Sequence, residues 1–155
     1  MELKTYVLIK VVSGKERRVS EDLEDFLYPY DQGVKVYRTP YHGLIILKSS
    51  LEPDKISGLL KKSRVGYLRS FMVLDGLVSV SNWREVIEII ASKVPRGSEI
   101  SLKVKVRGGR RELRELMDII RSEIIRRGYT VKKEARFVVK LETLDNMISI
   151  VVGDI

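Results

Sequence analysis

The residues with the most evident chemistry form a glycine–arginine junction, Arg107-Gly108-Gly109-Arg110-Arg111. A strand pattern ends just before it, and a helical pattern headed by its arginines follows. A helix amino terminus carries unpaired N–H groups and partial positive charge, so arginines there are locally unfavourable unless an anion joins them. The junction therefore predicts a phosphate site built from guanidinium groups and from backbone amides that the glycines leave accessible. A glycine-rich turn with solvated arginines is the alternative interpretation.

The distribution of charge favours the phosphate site. The segment from Lys103 to Arg136 contains 12 lysine and arginine residues against 5 acidic residues, a net charge of +7, whereas the whole chain carries +8. Nearly all of the excess positive charge thus lies in about a fifth of the sequence. Such a concentration is typical of a nucleic-acid-binding surface.

The sequence contains few residues that could catalyse a reaction or bind a metal ion. The chain has no cysteine and one histidine, which excludes thiolate metal sites and cysteine nucleophiles and leaves little for histidine-based catalysis. Gly14-Lys15 resembles the end of a phosphate loop, but Ile9 stands where the first glycine would be. We therefore expect no catalytic residue, no metal and no cofactor, and we expect that the protein is not an enzyme.

No apolar run reaches the ~18 residues of a membrane span, and the chain start lacks the apolar core of a secretory signal. A cytoplasmic protein without membrane contacts is expected. The abundance of Lys, Arg and Glu beside a single Gln and two Asn is typical of proteins from hot environments, as in thermophilic archaea.

The first half, residues 1–78, predicts a ferredoxin-like split βαβ domain with one sheet and two helices. Its expected elements are strands over 6–12, 34–38, 44–48 and 67–74, a helix ending near Leu27, and a helix with Pro53 in its first turn. A capping box, Ser13-Gly14-Lys15-Glu16, is predicted to start the first helix.

The second half, residues 79–155, predicts the order helix, strand, helix, strand, strand. Its expected elements are a helix capped by Asn82 and Glu85 and ending near Lys93, a strand over 99–106, a long helix ended by Gly128, and a hairpin of strands 137–141 and 147–152. The last strand is expected to offer an apolar edge, which leaves the oligomeric state open.

The order of elements after Val78, with the junction between strand and long helix, resembles a THUMP domain, and the first half resembles the ferredoxin-like domain that precedes it. The stretches that carry the resemblance are 26–36, 51–61, 68–73 and 105–111. Together they are most similar to the stand-alone THUMP adaptors of tRNA cytidine acetyltransferases. The resemblance implies an α+β fold in two domains, the second a THUMP-like α/β domain with a mixed sheet.

The resemblance also implies a function: a non-catalytic adaptor that binds the acceptor stem and 3′ end of tRNA and presents the tRNA to a modifying enzyme. The enzyme would be an RNA cytidine acetyltransferase that forms N4-acetylcytidine. The RNA-binding positions expected on this basis are Lys105, Arg107, Gly108, Gly109, Arg110, Arg111, Arg114, Lys132, Lys133 and Arg136.

Two other classes of protein remain open at this stage. Residues 10–18 resemble the first domain of NusG-type transcription factors, which bind RNA polymerase, but those factors continue into a small β-barrel whereas residues 112–127 predict a helix. A ferredoxin-like regulator that binds a small molecule would explain a free sheet face, but it gives the +7 segment no role.

Overall fold

The structure, a computed structural model, describes residues 4–154 and divides into two compact units, the first ending at Leu74 and the second beginning at Asp75. The predicted boundary lies a few residues later, after Val78, because the sequence around Gly76 has the features of a loop between two domains. Residues Gly76–Ser79 instead form a strand that pairs with the last strand of the second unit.

The first unit has the predicted ferredoxin-like arrangement. Its elements are β1 (Thr5–Val11), α1 (Glu16–Leu27), β2 (Lys35–Arg38), β3 (Leu44–Ser49), α2 (Pro53–Lys62) and β4 (Leu68–Val73). The strands lie in the order β2-β3-β1-β4, and all neighbours are antiparallel. The core forms because alternate residues of β1, together with helix residues spaced by three or four, point to the same layer. Its buried members include Val7, Ile9, Val19, Leu23, Leu27, Ile45, Leu47, Ile56 and Leu60.

Asp31 ties the loop after α1 to the end of β3. Its carboxylate accepts hydrogen bonds from the Ser49 hydroxyl at 2.8 Å, the Ser50 amide at 2.9 Å and the Gly33 amide at 3.1 Å. Burial on its own raises the pKa of Asp31, but these hydrogen bonds outweigh that effect and the net pKa is lowered. The side chain therefore stays charged inside the unit and satisfies three donors.

The predicted capping box of α1 is wrong. The helix is preceded by Lys15, and no side chain caps its amino terminus in the described structure. The Glu16 carboxylate accepts the amide of Gly43 at 3.2 Å from the turn between β2 and β3. Hydrogen bonds from the backbone of Glu16 itself, of Gly43 and of Gly14 lower the pKa of this carboxyl group.

The second unit is an α+β domain with a mixed sheet, as predicted. Its elements are β5 (Gly76–Ser79), α3 (Arg84–Lys93), β6 (Glu99–Val106), α4 (Arg111–Arg126), β7 (Thr130–Lys132), β8 (Phe137–Leu144) and β9 (Met147–Asp154). The strand order is β5-β9-β8-β6-β7, with β6 parallel to both β7 and β8 and the remaining pairs antiparallel.

Both helices of this unit pack on one face of its sheet. Their buried side chains recur every three or four residues and meet the alternate, inward-facing residues of the central strands. The shared core includes Val86, Ile87, Ile90, Ile100, Met117, Ile120, Ile124, Val139, Leu141, Ile148 and Ile150. Among residues 4–154, no helix combines the length and apolar character needed to cross a membrane.

Three details of the second unit differ from the sequence predictions. Strands β5 and β7 were not predicted, since they have four and three residues and little alternation. The amino terminus of α3 has no side-chain cap; the preceding residues Val80–Asn82 form a short 3-10 turn, capped by Ser79. The last strand, β9, is not an edge, because it lies between β5 and β8.

Candidate nucleic-acid interface

The glycine–arginine junction, residues Arg107–Arg111, connects the carboxyl end of β6 to α4. Gly108 and Gly109 both adopt left-handed backbone conformations, with φ of 77° and 64°. Consecutive positive φ values are readily available to glycine but strained for side chains with a Cβ atom. The two glycines therefore let the chain turn directly from the strand into the helix. Ligand sites of open α/β sheets also lie beyond the carboxyl ends of parallel strands.

The start of α4 has free hydrogen-bond donors, as predicted. Arg110 is the residue before the helix and is extended, and no described side chain caps this terminus. The first helical hydrogen bond joins the Arg114 amide to the Arg110 carbonyl at 3.2 Å. The amides of the intervening residues, 111–113, thus have no acceptor within the helix. They are available to an anion.

The first two basic residues of the site share a carboxylate. Arg107 Nε donates to Glu142 Oε1 at 2.7 Å, and Lys105 Nζ lies 3.9 Å from the same oxygen. Glu142 comes from β8, where it is the direct neighbour of Lys105 in the parallel pairing. The Arg107 side chain is only 18% exposed, so it acts mainly as an internal partner of Glu142.

The other three arginines of the site are more accessible. Arg110 Nε lies 3.8 Å from Glu112, and Arg110 Nη1 lies 3.7 Å from Asp145 in the β8–β9 turn, so both of these ion pairs are long. Arg111 pairs with Glu115 one turn along the helix, and its side chain is 90% exposed. A Cβ atom on Gly109 would lie 3.5 Å from Nη2 of Arg114, so this guanidinium folds back beside the glycine turn. The structure thus brings Gly109 and Arg114, both predicted site residues, close together.

Three predicted residues lie at the opposite end of the sheet. Lys132 belongs to β7 rather than to a loop, and its Nζ pairs with Glu99, the first residue of β6, at 2.9 Å. Lys133 follows it, and Arg136 precedes β8, whose first residue aligns with Ile100. Since β6 spans eight residues, this group lies about 23 Å from the junction along the strand. The two groups do not form one compact site.

Arg136 is also engaged by a carboxylate. Its Nε and Nη2 atoms donate to the two oxygens of Asp154 at 2.8 Å and 3.0 Å. These hydrogen bonds, aided by the charge attraction, raise the pKa of Arg136 and lower the pKa of Asp154. A phosphate would have to compete with this bidentate pair.

Two lysines outside the predicted site are also exposed, on the other face of the sheet. Lys103 and Lys140 are exposed and aligned with each other across the β6–β8 pair. Their neighbours Leu102 and Val139 pack into the core under the helices, so both lysines lie on the other face of the sheet, together with Lys105. We call these three residues the lysine face. In the sequence, the alternation of lysine with apolar residues over 102–106 could have identified Lys103 as an exposed residue on the same face as Lys105.

Comparison with known proteins shows the fold. No protein-family model and no curated protein sequence matches the chain. Among solved structures, it is similar to PH1313 from Pyrococcus horikoshii OT3, with a TM-score of 0.62 and 14% identity over 97% of this chain and 54% of that one. A 4-thiouridine synthetase solved with RNA and bound ATP gives a TM-score of 0.59 and 20% identity over 98% of this chain and 41% of that one. TrmN from Thermus thermophilus gives a TM-score of 0.53 and 15% identity over 96% and 45%.

These similarities extend over nearly the whole chain and concern THUMP-containing proteins, so the fold is THUMP-like. The predicted α+β class, with an antiparallel first sheet and a mixed second sheet, is confirmed. The chain spans about half the length of the solved structures it matches.

Proposed function

We propose that the chain is a non-catalytic tRNA-binding adaptor whose second unit holds an RNA stem by its phosphates. The observation that carries the proposal is the group of accessible cations Arg110, Arg111 and Arg114 around an uncapped helix start. Phosphates that dock there would bind the free amides and release counterions. The RNA complex of the 4-thiouridine synthetase, which has a similar fold, supports this class of ligand.

The finer proposal follows the resemblance to THUMP adaptors. The protein docks on the acceptor stem and 3′ end of tRNA and presents the tRNA to an RNA cytidine acetyltransferase for N4-acetylcytidine formation. The second unit is an α+β domain with the long helix α4 (Arg111–Arg126) instead of a small β-barrel, which disfavours the NusG-type alternative.

The test compares two exposed arginines at opposite ends of α4. Arg111 and Arg126 each pair with a carboxylate on the same helix, at 3.1 Å and 3.6 Å, but they lie about 22 Å apart along the helix axis. Binding of labelled tRNA is measured over a range of salt concentrations. Arg111→Ala should weaken binding and reduce the slope of log K against log salt by roughly one unit, whereas Arg126→Ala should leave the slope unchanged.

Equal slopes for the wild type and Arg111→Ala would refute the site. Two further ligands test the finer proposal: the same tRNA without its 3′ tail, and a DNA duplex of similar charge. Preference for intact tRNA is expected, and equal weak binding to all three would refute the adaptor function. The role in modification predicts that the protein increases acetyl transfer to tRNA by a cytidine acetyltransferase, and that Arg111→Ala reduces this effect.

A further inference from the structure

The first unit contains a basic groove between α1 and the segment that joins α2 to β4. The groove has a volume of about 580 Å³. Its charged lining consists of Arg18 and Asp22 from α1, Lys62 at the end of α2 and Arg64 just after that helix, and Phe26 contributes apolar surface. Three cations against one carboxylate make this groove attractive to an anion.

An exposed aromatic ring, that of Tyr67, lies beside this groove. Tyr67 directly follows the lining residue Gly66, and 42% of Tyr67 is exposed. Two cations lie near its ring: Lys15 Nζ is 4.9 Å and Arg18 Cζ is 5.4 Å from the ring centroid. An aromatic ring accompanied by cations is the combination with which proteins bind unpaired nucleotides, since the ring stacks on a base and the cations bind phosphates.

The backbone of Tyr67 is strained in a way that favours a role for its side chain. Its φ is 66°, in the left-handed region, where the other described non-glycine residue is Asp145 in the β8–β9 turn. Aspartate tolerates this conformation, but a tyrosine there is uncommon. The Val12 amide donates to the Tyr67 carbonyl at 2.9 Å and holds the backbone in place. Glycine or asparagine would suit the backbone better, so the ring is kept at the expense of local stability.

We propose that this groove is a second RNA site, which binds unpaired nucleotides: a base stacks on Tyr67, and the adjoining phosphates bind Arg18, Lys62 and Arg64. The inference deepens the proposed function, since it rests on RNA as the ligand class. It differs in its site, in the form of RNA that is bound and in the residues that respond to mutation. The proposed function places the phosphates of a stem at the glycine–arginine junction, whereas stacking on Tyr67 needs a base that is free of its partner.

The experiment measures binding of the full protein to a short labelled single-stranded RNA and to a blunt-ended RNA duplex. Tyr67→Gly removes the ring and also relieves the backbone strain, so the variant should fold at least as well as the wild type. It should weaken single-strand binding roughly five- to 150-fold, the effect of losing one stacked base, and leave duplex binding unchanged. Tyr67→Phe keeps the ring and should bind the single strand as the wild type does.

Neighbouring arginines of α1 provide a matched control. Both arginines pair with a carboxylate one turn along the helix, Arg17 with Glu21 at 3.1 Å and Arg18 with Asp22 at 4.0 Å, but of the two only Arg18 lines the groove. Arg18→Ala should weaken single-strand binding and lower its salt dependence, and Arg17→Ala should change neither. Arg111→Ala should weaken binding of the duplex and leave binding of the single strand unchanged. The two sites can therefore be refuted independently of each other.

Unchanged single-strand binding by Tyr67→Gly would overturn the proposal. So would equal losses for Tyr67→Gly and Tyr67→Phe, because the ring would then not be the contact. An acidic peptide, polyglutamate, is tested in parallel. If Tyr67→Gly weakens peptide binding as much as RNA binding, the groove is a docking site for acidic proteins and the RNA proposal is wrong.

Discussion

Arg107 is expected to stabilise the fold more than it binds RNA, although it is the first arginine of the junction. Its guanidinium donates to Glu142 at 2.7 Å, and the two side chains are 18% and 15% exposed. Arg107→Ala removes this hydrogen bond and leaves a mostly buried carboxylate whose Oε1 atom lies 3.9 Å from Lys105 Nζ. Loss of a charged hydrogen bond lowers the free energy of unfolding by about 1.5–3 kcal/mol. For a unit of this size, that corresponds to a fall in melting temperature of roughly 6–24 °C.

The partner variant, Glu142→Gln, separates stability from binding. It breaks the same ion pair and also lowers the melting temperature, but it removes negative charge from the site and frees Arg107 and Lys105 for phosphates. Glu142→Gln should therefore strengthen tRNA binding and increase the salt slope by up to about one unit. Arg107→Ala should reduce the slope by less than Arg111→Ala does.

Thermal unfolding followed by circular dichroism, together with salt-dependent tRNA binding, checks both variants. The reasoning is refuted if Arg107→Ala keeps the wild-type melting temperature and loses a full unit of salt slope. It is also refuted if Glu142→Gln binds tRNA more weakly while it remains folded, because the carboxylate would then assist binding instead of opposing it.

Three further changes have defined outcomes. Asp31→Ala should lower the free energy of unfolding at pH 7 by about 1.5–3 kcal/mol, measured by urea denaturation. Because folding lowers the pKa of Asp31, its contribution is complete above the unfolded pKa of about 3.9 and is lost as the pH falls through the folded value, so Asp31→Asn should flatten the acid side of the stability profile. Gly109→Val should weaken tRNA binding and, at a φ of 64°, lower stability by about 1–3 kcal/mol. Arg136→Ala should affect tRNA binding less than Arg111→Ala, since Asp154 already occupies its guanidinium.

Each of these predictions has a contrary result. An acid profile of Asp31→Asn that parallels the wild type would show that this carboxylate does not titrate with folding. Asparagine tolerates a positive φ, so Gly109→Asn should keep the wild-type stability. If Gly109→Asn loses as much stability as Gly109→Val does, the loss comes from side-chain volume and not from backbone strain. A larger effect on tRNA affinity for Arg136→Ala than for Arg111→Ala would move the RNA site to the far end of the sheet.

The long elements could be predicted from the sequence because their signals are local. The four-residue spacing of Val19, Leu23 and Leu27 identifies α1, and the strand pattern before the glycines identifies β6. The caps were predicted wrongly because the helix starts lie elsewhere: Lys15, not Ser13, precedes α1, and Trp83, not Asn82, precedes α3.

The sequence predicts that the glycine–arginine junction lies between β6 and α4, but it does not predict the ion pairs of the surrounding cations. Which cations are neutralised depends on the parallel pairing of β6 with β8, which places Glu142 beside Lys105 although they are far apart in sequence. The same pairing aligns Lys103 with Lys140 and separates Arg136 from the junction by the length of a strand. None of these relations has a local sequence signal, since register is decided by the sheet as a whole.

The alignment of Lys103 with Lys140 on the lysine face also couples binding to folding. Two neighbouring ammonium groups on one sheet face repel each other, so the protein without a ligand folds against this repulsion. A bound polyanion relieves it, and binding to the native state alone stabilises that state by about 2.7 kcal/mol at a ligand concentration of 100 Kd. If RNA is that polyanion, as proposed, the melting temperature of the protein reports how much RNA is bound. Added salt, which weakens the repulsion, should then stabilise the free protein while it dissociates the complex.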